Sequence, residues 1–278
     1  MTSESSVAIV MATYNGEKYL KNQIESILKQ TYLNWTLYIG DDGSTDSTKT
    51  IIDYYAINYT NIVKVDTGTQ NLGAKRRFMT LLESVQADYY MFSDQDDVWL
   101  ENKIEISLNK IKSEETANPN RPVVVHTDLI VTDENLNHIH ESFWKRSKIK
   151  PDVLNNVNYL GVFNCATGCT MIFNNHAKNV SLPMPDVAPM HDWWVTINTA
   201  KNGIIATVET PTILYRQHLS NVVGAREISS MYFIKKLIHI FSTLKGHQEL
   251  FPFHKFINYG PVTKYYYYKV LYTIKRNF

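Results

Sequence analysis

Three carboxylates fall within four positions at Asp94-Gln95-Asp96-Asp97. Placing such charges together costs repulsion, and burying them costs more, so a cation has to offset them. A hard divalent ion, Mg²⁺ or Mn²⁺, fits best, because it takes oxygen ligands and keeps waters and substrate phosphates in its shell. A solvated acidic turn at the start of the next helix is the competing reading, since carboxylates also favour a helix N-terminus. Four other polar clusters have the residue types for chemistry. They are Thr13-Tyr14-Asn15-Gly16, Asp41-Asp42-Gly43-Ser44-Thr45-Asp46, His191-Asp192 with Trp193-Trp194 behind it, and Arg216-Gln217-His218.

The elements around these clusters decide whether they meet. Tyr89-Tyr90-Met91-Phe92 is a short apolar run that reads as a buried strand. The carboxylates then sit where it leaves the sheet, at the edge where open α/β sheets bind ligands. Val7 to Ala12, Thr36 to Gly40 and Ile62 to Val65 read as further strands. Each is followed by a helical pattern: Leu20, Ile24, Ile27 and Leu28; Ile51, Ile52 and Tyr55; Phe78, Leu81, Leu82 and Val85. This alternation predicts βαβ units and a mostly parallel sheet. Right-handed crossovers would bring Thr13 to Asn15, Asp41 to Asp46 and Asp94 to Asp97 to one edge. Further on, a helix carries Ile104, Leu108 and Ile111, and a strand runs from Val123 to Val131. Residues 133–160 lack a period and read as a lid or acceptor loop. Thr167 to Phe173 reads as a strand, a helix after Met190 stops at Asn202-Gly203, and Ile204 to Val208 and Ile213 to Tyr215 read as two short strands.

The 278 residues suit one large domain with an appendage, and a net charge of +1 argues against a nucleic-acid partner. Cys165 and Cys169 make neither a disulfide framework nor a zinc site, which fits a reducing compartment. The polar start, Met1 to Ser6, does not read as a signal peptide, and no apolar stretch is long enough to span a membrane. Composition shifts at Ile228, so the expected division is 1–227 and 228–278. From there Lys235, Lys236, Lys245, Lys255, Lys264, Lys269, Lys275 and Arg276 face one acid, Glu249, among dense aromatics. Two readings fit: an interfacial helix pair on an anionic membrane, or a helical cap packed on the body.

Together, Thr13-Tyr14-Asn15, Asp41 to Asp46, Asp94-Gln95-Asp96-Asp97-Val98-Trp99 and His191-Asp192 resemble a family-2 glycosyltransferase of the GT-A fold. The Gln inside the acidic motif and the Trp after it resemble the rhamnosyltransferase-like branch of bacterial polysaccharide assembly. The resemblance spans about residues 7–225. It implies an α/β sheet flanked by helices and an inverting transfer from a UDP- or dTDP-sugar to a saccharide acceptor, lipid-linked in capsule or O-antigen assembly. It implies nucleotide contacts at Thr13, Tyr14, Asn15, Asp42, Asp94, Gln95 and Arg216, and metal contacts at Asp94, Asp96 and His218. Lys75 and Arg76 either reach phosphate or form a solvated helix face. Asp192 matches the family's general base; the preceding residue, often acidic in the family, is His191 here. Trp99, Trp144, Trp193 and Trp194 either stack on sugars or pack in the core. The expected location is cytoplasmic, at the inner face of the plasma membrane. Two other classes compete: a nucleotidyltransferase, whose usual glycine-rich basic loop is missing from Met11 to Gly16, and a catalytically inactive sugar-nucleotide-binding subunit.

Overall fold

A computed structural model describes residues 4–66, 68, 70–218 and 247–277. The chain begins with strand β1 (Val7–Thr13), helix α1 (Leu20–Leu28), β2 (Trp35–Asp41), α2 (Thr48–Asn58), β3 (Ile62–Val65), α3 (Ala74–Ser84) and β4 (Tyr89–Ser93). These first four strands are parallel neighbours in the spatial order β3-β2-β1-β4. The chain therefore winds outward from β1 to β3, then crosses back to lay β4 on the other flank of β1. That reversal puts a crevice between the C-terminal ends of β1 and β4, where Thr13 and Asp94 leave the sheet.

β1 is an unbroken apolar run because both of its faces are covered. Val7, Ile9 and Met11 enter one core cluster, and Ala8 and Val10 the other, on the opposite side of the sheet. The buried valine, isoleucine and methionine side chains each contribute about 1.5–3 kcal/mol relative to exposure.

The second half of the sheet is mixed. β5 (Val98–Trp99), α4 (Lys103–Ala117), β6 (Val123–Thr132), β7 (His138–His140), α5 (Phe143–Arg146) and α6 (Val157–Leu160) lead to β8 (Met171–Asn174), α7 (Asn175–Val180), α8 (His191–Asn202) and β9 (Ile204–Arg216). β8 pairs antiparallel with β4 and β6, and β6 pairs parallel with β9. The sheet is mixed overall, with the longer ladders parallel.

Three sequence expectations are corrected here. The strand expected from Thr167 begins only at Met171, because Gly168–Thr170 form a tight 3₁₀ turn. The two short strands expected after Gly203 are one long strand, β9. Its pairing with β6 shifts between Val208 and Pro211, so a bulge carries the chain past the proline. Residues 133–160 are not a lid: Trp144, Ile149, Val153, Leu154 and Leu160 are buried in the core. Their elements are too short to leave a period in the sequence.

After residue 246 come α9 (Phe251–Phe256) and α10 (Val262–Asn277). Phe253, Tyr259, Tyr265 and Tyr272 are buried in the same core cluster as Leu160 and Trp194. Lys269 Nζ donates to Val162 O at 3.1 Å, Arg276 Nε to Lys148 O at 2.9 Å, and Lys275 pairs with Asp152 at 2.9 Å. These tail cations are turned onto the body. Lys235, Lys236 and Lys245 lie outside the described residues. No helix among the described residues is long and apolar enough to cross a membrane.

Candidate functional site

The loops after β1, β2 and β4 do converge, and they are stitched by side-chain hydrogen bonds. Tyr14 N–H donates to Gln95 Oε1 at 2.9 Å, and Gln95 Nε2 returns a bond to Tyr14 O at 2.9 Å. A Cβ on Gly16 would lie 2.3 Å from Gln95 Oε1, so a larger residue would push the Gln95 amide out of this pairing. Asn15 holds a positive φ of 46°, its N–H donates to Ser44 Oγ at 2.9 Å, and its Oδ1 accepts from Thr45 N at 2.9 Å. Thr13 Oγ1 donates to Asp41 Oδ1 at 3.1 Å. Tyr14 is left with an exposed ring beside this mesh.

Asp42 is buried and saturated. Its oxygens accept from Leu72 N at 2.9 Å, Gly73 N at 2.8 Å and Arg77 Nε at 2.9 Å. Arg77 was not singled out from the sequence; its one available signal is its place on the inward face of α3, one turn before buried Leu81. Lys75 and Arg76 go elsewhere. Lys75 Nζ donates to Asp186 O and Ala188 O, each at 2.8 Å, and Arg76 pairs with Asp186 at 2.8 Å. Both therefore tether α3 to the loop that leads into α8.

The acidic motif divides. Asp94 groups with Asp97 and Cys169, whose ligand atoms lie within 4.8 Å of one another. Asp96 Oδ2 meets His218 Nε2 at 2.8 Å. Of the expected trio, Asp96 and His218 touch each other, while Asp94 groups with Asp97 and Cys169; Arg216 holds the loop that carries them. Arg216 N–H donates to Asp97 Oδ1 at 3.1 Å and its Nε to Asp96 O at 2.8 Å, while its guanidinium lies 4.5 Å over the Tyr19 ring. Cys169, from the turn before β8, carried no sequence signal for this role.

Burial, and then the charges of Asp96 and Asp192, push the Asp94 carboxyl up to about 7. Burial, and then the charges of Asp96 and Asp94, push Asp97 well above the ordinary carboxylate range, and its Oδ2 has no hydrogen-bond partner. Burial also pushes the Cys169 thiol well up, so it stays a neutral thiol rather than a soft thiolate ligand. An orphaned buried carboxylate oxygen facing a second carboxylate fits a hard divalent cation held by oxygen. Beneath this group the Lys103 ammonium is fully buried, 4.8 Å over the Trp99 ring and 3.5 Å from Thr212 Oγ1.

Asp192 stands in the first turn of α8. Its Oδ2 accepts from Gly168 N at 3.1 Å, and its Oδ1 from Trp193 N at 2.6 Å. Burial raises its carboxyl to about 6, although these two bonds favour the anion. The tryptophans largely take the packing role. Trp99, Trp144 and Trp194 are buried, and Trp193 spends its indole N–H on Leu160 O at 2.6 Å.

The family described as Glycosyl transferase family 2 matches residues 8–180, from β1 through α7. The chain belongs to this family. It is a glycosyltransferase. It is 29% identical over 229 residues to the dTDP-rhamnosyl transferase RfbG of Shigella flexneri, covering 77% of this chain and 74% of that one. Its fold is similar to that of TarS from S. aureus in complex with UDP-GlcNAc, with a TM-score of 0.60, 16% identity, and 84% of this chain matched to 66% of that one. It is also similar to the mannosyltransferase PcManGT from Pyrobaculum calidifontis in complex with GDP-Man and Mn²⁺, with a TM-score of 0.56, 15% identity, and 80% of this chain matched to 59% of that one. The chain thus spans a little under two thirds of these two solved chains. The family match covers the β1–β4 edge, where the loops after β1, β2 and β4 meet.

Proposed function

We propose that this glycosyltransferase moves a sugar from a UDP- or dTDP-linked donor to a saccharide acceptor, lipid-linked, in the assembly of a surface polysaccharide. The observation that carries this reading is Asp192, a carboxylate raised to about 6 and close enough to Asp94 for its charge to raise that group's pKa. A base poised near neutral pH is what deprotonation of a hydroxyl needs. The RfbG name, a dTDP-rhamnosyl transferase, and the UDP-GlcNAc bound by TarS support the donor class.

The nucleotide would lie across the mesh of Thr13, Tyr14 and Asn15, with Asp42, its oxygens taken by Arg77, Leu72 N and Gly73 N, bracing that edge from beneath and Gln95 and Arg216 fixing the acidic loop. Asp94 and Asp97 would hold Mn²⁺ or Mg²⁺, with Asp96 and His218 on the outer side. Such an ion, when bound, neutralises the leaving diphosphate. The chain's own part is the proton. Asp192 accepts it from the acceptor hydroxyl as that oxygen attacks the anomeric carbon from the face opposite the diphosphate. The configuration at that carbon inverts, the bond to the diphosphate breaks, and the proton ends on Asp192. An anionic membrane surface would be the partner of Lys235, Lys236 and Lys245 and would place the enzyme at the cytoplasmic face.

A thermal-shift screen with UDP, dTDP, GDP and CMP, each with and without Mn²⁺, tests the donor class. UDP or dTDP should stabilise the protein only with metal, and the matching nucleotide-sugar should then be hydrolysed slowly. Stabilisation by none of the four would overturn the donor class, and binding without turnover would leave an inactive binding subunit instead.

A further inference from the structure

We propose that His191 is a positioning residue: an aromatic wedge that sets the first turn of α8, and with it the Asp192 carboxylate, against β4 and the Gly168 turn. The proposal rests on the reading of Asp192 as the base.

His191 is 4% exposed, and neither ring nitrogen has a hydrogen-bond partner. Its ring stacks on Phe78 of α3, with centroids 4.2 Å apart and planes 21° apart. It meets Phe92 of β4 edge-on at 4.8 Å and 84°. Both are favoured aromatic-pair geometries, one stacked and one edge-to-face. An imidazolium here would have no acceptor, and burial accordingly drives the ring's pKa down to about 3. The ring is neutral at any working pH, so its contribution is shape. The same absence of partners explains why an acid does not stand here: a carboxylate in this slot would find no donor.

Two contacts tie the wedge to the chemistry. A Cβ on Gly168 would lie 2.9 Å from His191 Nε2, so the ring occupies the space that glycine leaves free. The N–H of that same glycine donates to Asp192 Oδ2. Phe92, the other wall, stands two residues before Asp94 on the strand that delivers the metal-side carboxylates. His191 therefore sets the spacing between the base and the acidic loop. Removing the ring frees the first turn of α8 to move, and a displacement of about 1 Å at a catalytic group can cost 10²-fold in rate.

The test compares His191→Phe, His191→Ala, Gly168→Ala and the double variant His191→Ala/Gly168→Ala in the full chain, with Asp192→Asn as a control. Turnover, donor-nucleotide affinity by calorimetry, the pH–rate profile and thermal melts are measured. His191→Phe should keep kcat within about threefold of the parent, with the same acidic limb, because shape is retained. His191→Ala should lose roughly tenfold or more in kcat with donor affinity nearly unchanged. Gly168→Ala should also lose kcat, and the double variant should fall no lower than Gly168→Ala alone, the non-additivity expected of groups in contact. Three results overturn the proposal: His191→Phe losing as much activity as His191→Ala while melting like the parent, a shifted acidic limb in His191→Phe, or parental turnover in His191→Ala. Parental turnover in Asp192→Asn would instead remove the base reading, and the variants of position 191 play no part in that result.

Discussion

Arg77 and Asp42 form an ion pair at 2.8 Å in which both side chains are nearly sealed from solvent. The pair joins the end of β2 to the first turn of α3, and Leu72 N–H and Gly73 N–H complete the carboxylate's shell. Removing one member of such a pair strands the other charge. Arg77→Met is expected to cost about 3–5 kcal/mol, and Arg77→Met with Asp42→Asn less than the sum of the two singles. Urea unfolding of the four proteins measures this; an Arg77→Met loss below about 1 kcal/mol would mean that the pair has little structural weight.

Replacing Asp192 by Asn should lower kcat by roughly 10²- to 10⁴-fold, the usual worth of a general base, and leave nucleotide affinity close to the parent's. The same change should raise stability at neutral pH. The folded-state carboxyl is lifted to about 6, above its ordinary value, so between the two values the folded protein holds a proton that the unfolded chain has released. The parent therefore loses stability as pH rises through that window, on the order of 3 kcal/mol in total. Asn escapes this loss. The melting temperature of Asp192→Asn should exceed the parent's at pH 7 and match it below about pH 4. A lower melting temperature at pH 7 contradicts the burial account.

The pH–rate profile follows from the same group. Asp192 accepts a proton only as the anion, so turnover should fall about tenfold per pH unit below roughly pH 6 and level off above it. A stopped assay at saturating donor and metal reads this limb directly. A flat profile between pH 5 and 7 assigns the base to another group.

Much of this site was legible before any coordinates. The runs ending at Thr13, Asp41 and Ser93 announce strands, and polar loops after parallel strands have to share an edge. What was hidden lies in contacts between distant positions. Cys169 reaches Asp94 and Asp97 only because β8 reverses direction beside β4. Lys75 and Arg76 read as phosphate ligands or a solvated helix face because nothing local reveals that the loop at Asp186 to Ala188 returns over α3. β9 read as two strands because a Pro-containing bulge interrupts the pattern without interrupting the pairing.

The split of the acidic motif makes the metal question sharp. Asp97→Ala removes the orphaned inner carboxylate, and Asp96→Asn weakens the outer one that meets His218. Both should reduce the Mn²⁺-dependent affinity for nucleoside diphosphate, by roughly tenfold or more. Calorimetric titration of nucleotide with and without Mn²⁺ separates the two. If Asp97→Ala binds Mn²⁺ and nucleotide like the parent while Asp96→Asn does not, the ion sits on the Asp96–His218 side alone.

The tail offers the last contrast. A membrane anchor can be removed without unfolding the body; a structural cap cannot. Phe253, Tyr259, Tyr265 and Tyr272 are buried in the body's own core cluster, and His254 Nε2 bonds Gly161 O at 2.7 Å. Deleting large buried aromatics costs about 3–5 kcal/mol each, which approaches the whole stability of a typical domain. A chain ending at Arg226 should therefore be insoluble or melt far below the parent, whatever its lipid affinity. Liposome flotation of the full chain at low and high salt then tests the membrane role separately, since the basic residues outside the described tail would bind anionic vesicles only at low ionic strength. A truncated chain that melts like the parent would show that the cap is dispensable and that these buried rings carry little of the fold's stability.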